Sequence, residues 1–453
     1  MIVKTKRLIN MQSALRGAMA IALAGSLGAC GIIGGGDGPK TTPTVGERIP
    51  VLSRIETGAK VDPALQSVSV VLPPAQTNPD WPQAGGNAGK ANGHLAISAS
   101  PSQAWTATIA GSTTRRRLAA APVIGDGKLF VVGTDGMVHA FDAQSGARRW
   151  TYRMKIDEDQ SASAFGGGAS FAAGRVYATS GVGEVVALDA NSGAEIWTAK
   201  PAGPLRGSPT IAFNSVFVMT QDNQIHALNT ADGKTLWDES GSTAQAGVFG
   251  VAAPSAAQGT VVAGYSSGEL VAYRYENGRT LWSDALALTS ISTSVGSLYD
   301  IDADPIIDQG RVYALGQGGR MAAYELVTGQ RQWEINVAGI STPAIAGEWI
   351  FALTDDARLL AIARSTGKVR WISQLQRYRD MEDKEGPIFW TGPVLAGNSL
   401  WVASTRGAIY KISTGEGSAS LYRELDEAVS LPPVVANGTL YVLDDGGTIH
   451  AFR

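Results

Sequence analysis

The residues of this chain that could do chemistry are one cysteine, four histidines and a short acidic run. Cys30 is the only thiol in 453 residues, so no disulfide can close within one chain. His139, His226 and His450 fall in one column of an internal repeat, where other copies carry Val186, Val271, Ala322, Leu360 and Tyr410. One residue per repeat in a column shared with aliphatics reads as a packing position, not a metal cluster, and His94 stands alone. Asp300 and Asp302 bring only two carboxylates, whereas calcium takes six to eight oxygens at about 2.3–2.6 Å. The chain has no G-x-S-x-G elbow, no H-E-x-x-H and no P-loop. Glycine runs such as Gly166-Gly167-Gly168 precede strands, so no helix N-terminus follows to hold a phosphate. Neither catalysis nor a cofactor is expected. The acidic pair remains as a group that can meet basic side chains of a partner.

The cysteine has a different use. Lys4, Lys6, Arg7 and Arg16 precede a short apolar core, Ala18 to Leu27. The core is too short to span a bilayer and reads as a secretory signal, residues 1–29. It ends in Leu27-Gly28-Ala29-Cys30, which resembles the bacterial lipobox, in which the cysteine is diacylated and becomes the new N-terminus. Removing 1–29 takes away four positive charges and no negative ones, so the net charge moves from −3 to −7. An acidic protein is a poor ligand for nucleic acid or anionic lipid. Contact with a membrane is therefore expected through the lipids on Cys30. Gly31 follows, and by lipoprotein sorting rules a residue other than Asp there favours the outer membrane. Residues 30–80 read as a tether: GIIGGGDGPKTTPT is flexible by composition, and the apolar run around Val68 to Leu72 is expected to lie along the domain surface. Asp80-Trp81-Pro82-Gln83-Ala84-Gly85-Gly86-Asn87 opens the domain, residues 81–453.

The elements that position these residues are repeats. From Ala121 to Trp150 the chain reads as four short apolar strands separated by Gly125-Asp126-Gly127, Thr134-Asp135-Gly136 and Gln144-Ser145-Gly146. The unit recurs, closing on Trp150, Trp197, Trp237, Trp282, Trp333, Trp371 and Tyr422, at gaps of 47, 40, 45, 51, 38 and 51 residues. Four strands per ~40–50 residues is the period of a β-propeller blade. The eighth unit stops at Arg453 after three strands. An orphan strand around Trp105 lies 45 residues before Trp150, in phase. An all-β, eight-bladed propeller of four-stranded antiparallel blades is expected, with this N-terminal strand completing the last blade and closing the ring. The Trp column is expected to be core between blades.

The blade signature, x-P-V-I-x-D-G-x-[LV]-[FY]-V followed by A-[FL]-D-A-x-[ST]-G and a closing Trp, resembles the PQQ-like propeller repeat. Eight such repeats behind a lipobox resemble the BamB family, lipoprotein subunits of the outer-membrane β-barrel assembly machinery. The resemblance spans about residues 80–453. It implies a non-enzymatic scaffold on the periplasmic side of the outer membrane that binds the POTRA domains of BamA and assists unfolded outer membrane protein clients. Ser297-Leu298-Tyr299-Asp300-Ile301-Asp302-Ala303-Asp304-Pro305 looks like the family's acidic D-x-D loop, which carries a BamA contact over to Asp300 and Asp302. A second docking loop of the family matches Phe249-Gly250-Val251-Ala252-Ala253-Pro254, with Phe249 where the family has Arg. This reads either as an apolar contact through Val248 and Phe249 in its place or as Phe249 filling the inner end of the propeller. PQQ-like repeats also build quinoprotein dehydrogenases, which resemble longer chains with a vicinal disulfide and a calcium site. A propeller lipoprotein that captures another envelope protein is the rival binding reading.

In a four-stranded blade the second turn and the blade-to-blade link share one face. Here the links are long: 151–167, 238–252, 283–303 and 372–391. Insertions in repeat proteins collect on a binding face. The Val248-Phe249 and Asp300/Asp302 loops lie on consecutive links and should be neighbours. Link 372–391, with Ile388, Phe389 and Trp390, reads either as a contact or as a cover over the channel mouth. Arg115-Arg116-Arg117 reads either as a solvated loop or as a site for acidic groups.

Overall fold

A computed structural model describes residues 59–156, 160, 166–205, 207–242, 252–286 and 300–453. Alternating apolar residues between glycine turns form eight four-stranded antiparallel sheets, arranged as the blades of a propeller. Blade 1 runs Val123–Gly125, Lys128–Val132, Met137–Asp142 and Arg148–Arg153, from the channel outward. Blades 2 to 7 repeat this order. Their innermost strands are Ala169–Ala172, Thr210–Ala212, Ser255–Ala257, Ile306–Asp308, Ala344–Ala346 and Trp390–Ala396. Blade 8 has three strands from the C-terminal end of the chain, Val434–Ala436, Thr439–Leu443 and Thr448–Phe452. Its outermost strand is Gln103–Thr108, antiparallel to Thr448–Phe452 with Trp105 opposite Ala451.

The closing aromatics form a ring of bridges between blades. Each Trp indole donates to a backbone carbonyl of the next blade: Trp105 to Ala143 at 3.2 Å, Trp150 to Ala190 at 3.0 Å, Trp197 to Thr230 at 2.9 Å and Trp237 to Tyr275 at 2.7 Å. Trp282, Trp333 and Trp371 continue the series with Leu326, Arg364 and Thr414, at 2.8, 2.9 and 2.9 Å. The indole lies flat on the turn glycine of that next blade. A Cβ on Gly233 would stand 2.6 Å from Trp197 Cε3, and the glycine has φ +71°. This is why each copy of the turn carries glycine. In seven blades the ring also meets an aromatic of its own second strand, as Phe217 meets Trp237 at 5.8 Å between centroids. Tyr422 ends the series because the next third turn does not exist. Arg453 instead exchanges backbone hydrogen bonds with Ser102, and the Tyr422 hydroxyl donates to Pro101 O at 2.5 Å. Trp197, Trp237, Trp282, Trp333 and Trp371 are buried, whereas Trp105 and Trp150 are half-buried.

The inner edge of the ring is covered by one continuous segment. Residues 78–97 visit the innermost strands in blade order. Trp81 exchanges two backbone hydrogen bonds with Ile124 of blade 1, at 2.9 and 2.8 Å. Pro82 O then accepts from Phe171 N of blade 2 at 2.7 Å. The Gln83 side chain accepts from Ile211 N and donates to Ile211 O of blade 3, at 2.8 and 3.0 Å. Ala88 O and Gly89 O accept from Ala256 N and Ile307 N of blades 4 and 5, both at 2.8 Å. Ala91 packs at the cluster containing Ile345 of blade 6. Leu95 takes up Leu395 and Gly397 of blade 7, and Ile97 bridges Gly438 of blade 8. Asn78 O accepts from Asn437 N at 2.7 Å and so joins the first end of this strap to blade 8 as well. An inner strand of three residues has an open edge whose N–H groups need acceptors. The strap supplies them mainly through its carbonyls, a task that Pro and Gly perform as well as any residue. Upstream, residues 59–77 lie against blade 6, where Asp62 pairs with Lys368 at 2.9 Å and Val61 bridges Val369.

Candidate functional site: the central cavity and the link face

The strap crosses the channel on the side of the first and third turns. What remains of the channel is a cavity of about 700 Å³ whose floor includes Trp81, Lys90 and Leu95 of the strap. Its walls include the residues that lead into the innermost strands of blades 1 and 3 to 8, so it opens on the face of the blade-to-blade links. The mouth carries exposed apolar side chains, Ile340 at 46% and Phe389 at 64% exposure.

The floor holds a buried pair of opposite charges. The Lys90 ammonium donates to Ala84 O at 2.8 Å and to Thr210 Oγ1 at 3.2 Å. Burial pushes its amine down to about 8, against the attraction of Asp304, which acts the other way. Asp304 Oδ1 accepts from Ala253 N at 2.7 Å, and Asp304 N donates to Thr342 Oγ1 at 3.0 Å. Burial raises the Asp304 carboxyl, with Lys90 and the Ala253 amide pulling it back down.

The acidic run is drawn into the ring. Asp300 is fully buried, and its carbonyl accepts from Gln317 N at 2.8 Å. Asp302 is also buried and lines the cavity. The neighbouring Ile301 amide is tied to Tyr265 O at 3.2 Å, which turns the run into the ring. Val248, Phe249 and Cys30 lie outside the described residues. The residues that directly follow the 238–252 and 283–303 links do meet, through the Ala253–Asp304 hydrogen bond.

Among the other candidates, link 372–391 forms a hairpin of Tyr378–Asp380 and Glu385–Pro387. It leads to buried Ile388, exposed Phe389 at the mouth, and Trp390, whose indole donates to Gln376 O at 2.8 Å. Arg117 lines the cavity, while Arg115 is exposed and Arg116 half-buried. The histidine column is spread over three blades. His139 stacks on Phe141, His226 contacts Gln224 Oε1 at 3.1 Å and His450 contacts Asp444 Oδ2 at 2.9 Å. Burial holds His139 and His226 below the usual imidazole range. Among the described residues no group of three or more His, Cys, Asp or Glu could hold a metal ion.

Sequence reasoning missed Lys90 and Asp304. Lys90 is the only Lys, Arg, Asp or Glu between Trp81 and Ile97, a lone charge in a stretch of small residues. Asp304 continues the spacing of two begun by Asp300 and Asp302. Each signal is visible alone, but nothing in the sequence brings them together across more than two hundred residues.

The family model described as outer membrane protein assembly factor BamB matches residues 91–164 and 134–373. BamB of Yersinia pestis is 25% identical, over 78% of this chain and 89% of that protein. Among solved structures, BamB from Moraxella catarrhalis superposes with a TM-score of 0.66 at 20% identity, covering 78% of this chain and 99% of that one. A quinohemoprotein alcohol dehydrogenase from Comamonas testosteroni superposes at 0.65 with 15% identity, covering 83% of this chain and 81% of that one, a likeness of fold alone. With its family model spanning more than half of the sequence, this chain belongs to the BamB family of outer membrane protein assembly factors.

Proposed function

We propose that the protein is a non-catalytic scaffold of the outer-membrane β-barrel assembly complex, held at the periplasmic side of the membrane by lipid on Cys30. In this reading residues 1–29 are the signal, 30–80 the tether and 81–453 the propeller. The observation that supports it is a join between consecutive blades: the Ala253–Asp304 hydrogen bond brings the acidic run against the residue that follows the 238–252 link, on one composite face. That face is the proposed seat of the POTRA domains of BamA. Val248 and Phe249 supply the apolar contact. Asp302 acts from the cavity wall, and Asp300, being buried, holds the loop in shape rather than touching the partner. The strand Gln103–Thr108 serves as the clasp that closes the ring.

Co-purification from detergent-solubilised envelopes tests the reading. BamA is expected with the wild type and lost with Val248→Ser/Phe249→Ser, while the melting curve of the variant is unchanged. Asp300→Asn is expected to lower the melting temperature as well as BamA recovery. Absence of BamA from the wild-type sample would sink the assignment of partner. Undiminished BamA with the apolar double variant would sink the assignment of site.

A further inference from the structure

Among the described residues, the strap closes the channel on the side of the first and third turns and leaves it open on the link face. Whatever enters must leave by the same side, so an extended chain cannot thread the ring. The volume, about 700 Å³, lies in the ~300–1,000 Å³ range of pockets that take small ligands or a few side chains, far below a folded domain. The mouth is apolar, and its aromatic is held in place. Phe389 N donates to Thr405 Oγ1 at 3.1 Å and Thr405 N donates to Phe389 O at 2.9 Å, so both backbone groups are fixed while the side chain projects into solvent. An exposed aromatic on a fixed backbone is an anchor that loses little freedom on binding.

The charges inside argue against an ionic ligand. Lys90, Arg117, Asp302, Asp304 and Asp445 all line the cavity, and several are engaged within the protein. Lys90 donates to Ala84 O and Thr210 Oγ1, Asp304 accepts from Ala253 N, and Asp445 accepts from Ser430 Oγ at 2.7 Å. Among the described lining residues neither sign dominates, which disfavours selection of a phosphate or a polybasic segment. The rest of the lining alternates aliphatic groups with the hydroxyls of Ser341, Thr342 and Ser430, a mixture suited to peptide groups carrying uncharged side chains.

We propose that this blind cavity binds an uncharged, aromatic-bearing turn of an unfolded polypeptide, presented from the link face and anchored on Phe389 and Ile340. The proposal rests on the assembly-factor reading and adds to it a client site anchored at Ile340 and Phe389, in the cavity whose wall Ala253 and Asp304 also line.

The test uses the full-length protein and a fluorescein-labelled decapeptide, Thr-Tyr-Ser-Tyr-Asn-Gly-Thr-Tyr-Ser-Tyr, followed by anisotropy. A control peptide carries Ser in place of every Tyr. The tyrosine peptide is expected to bind and the control not to. Ile340→Ser/Phe389→Ser is expected to weaken binding at least about tenfold. Leu421→Ser, which removes an exposed leucine from an outer strand elsewhere, should leave binding as it was. Ser430→Trp, which narrows the mouth from an exposed position, should also abolish binding and covers the case in which the double variant melts early. Affinity should hold as salt rises from about 0.1 to 1 M and the Debye length falls from about 10 to 3 Å. Equal weakening by Leu421→Ser, no weakening by either mouth variant, or a steep loss with salt would each overturn the proposal. BamA recovery separates the two readings. Loss of peptide binding with BamA retained in the mouth variants supports a separate client site. Loss of BamA with peptide binding intact would assign the mouth to BamA instead.

Discussion

The outer and the inner edge of this ring solve the same problem in opposite ways. Both must tie each blade to its neighbour. On the outside, a Trp on one blade covers a glycine turn on the next, and the device is copied from blade to blade. On the inside, one uninterrupted segment visits the blades in turn and uses mostly its carbonyl oxygens. Repeated side-chain contacts localise damage, because losing one leaves its copies intact. A single strap shares damage, because cutting it opens every inner edge together.

The largest effect should therefore come from the strap. Deleting residues 78–97 is expected to leave a protein that aggregates on expression, since the innermost strands would present open edges. Deleting residues 103–110 should do the same by removing the outermost strand of blade 8. A soluble, cooperatively melting product from either deletion would break the comparison. Next in size is the Trp ring. Trp237→Ala should cost about 3–5 kcal/mol in denaturant unfolding, with less for the half-buried Trp150, and each variant should still fold.

The buried pair at the cavity floor tests the strap by one side chain. Lys90→Met removes the buried ammonium that offsets Asp304 and should cost about 3–5 kcal/mol, much of it recovered by adding Asp304→Asn. Lys90 also sets a pH dependence. Its amine sits at about 8 in the folded protein, below its ordinary 10.5, so the folded state binds fewer protons than the unfolded one between these values. Stability relative to Lys90→Met should rise as pH climbs from about 8 to 10.5. A flat difference across that window would remove the buried-ammonium account. The smallest contrast lies in two glycines with similar φ. Gly233→Ala meets Trp197, whereas Gly438→Ala meets nothing within 4 Å. Both are strained at positive φ, but only the first should also displace an indole, so it should melt lower.

This contrast also explains what could be read from the sequence. The outer ring is made by side chains at fixed positions, so period, phase and the partner glycine are written in the residues. The in-phase position of Trp105 is legible for that reason, and so is the departure at Tyr422. The strap works through backbone groups, which every residue has, so Trp81-Pro82-Gln83 carries no signature of the three blades it touches. Asp300 shows a different limit. Alternate spacing tells that Asp300, Asp302 and Asp304 share a side of an extended run, but not whether that side faces solvent or ring. Tertiary contacts at Gln317 and Tyr265 decide it.

The strap has one more consequence, in time rather than in space. It precedes the blades in the chain, yet Asn78 makes its hydrogen bond to Val435 across 357 residues. Synthesis delivers this segment before the blades, and it can dock fully only when the last blade exists. Contacts of such long sequence separation form slowly and leave intermediates exposed. A nascent ring must wait with its inner edges uncovered until the segment made first takes its place. A protein that helps other β-rich chains through assembly thus passes through the same vulnerable state, and this chain carries its own cover for it.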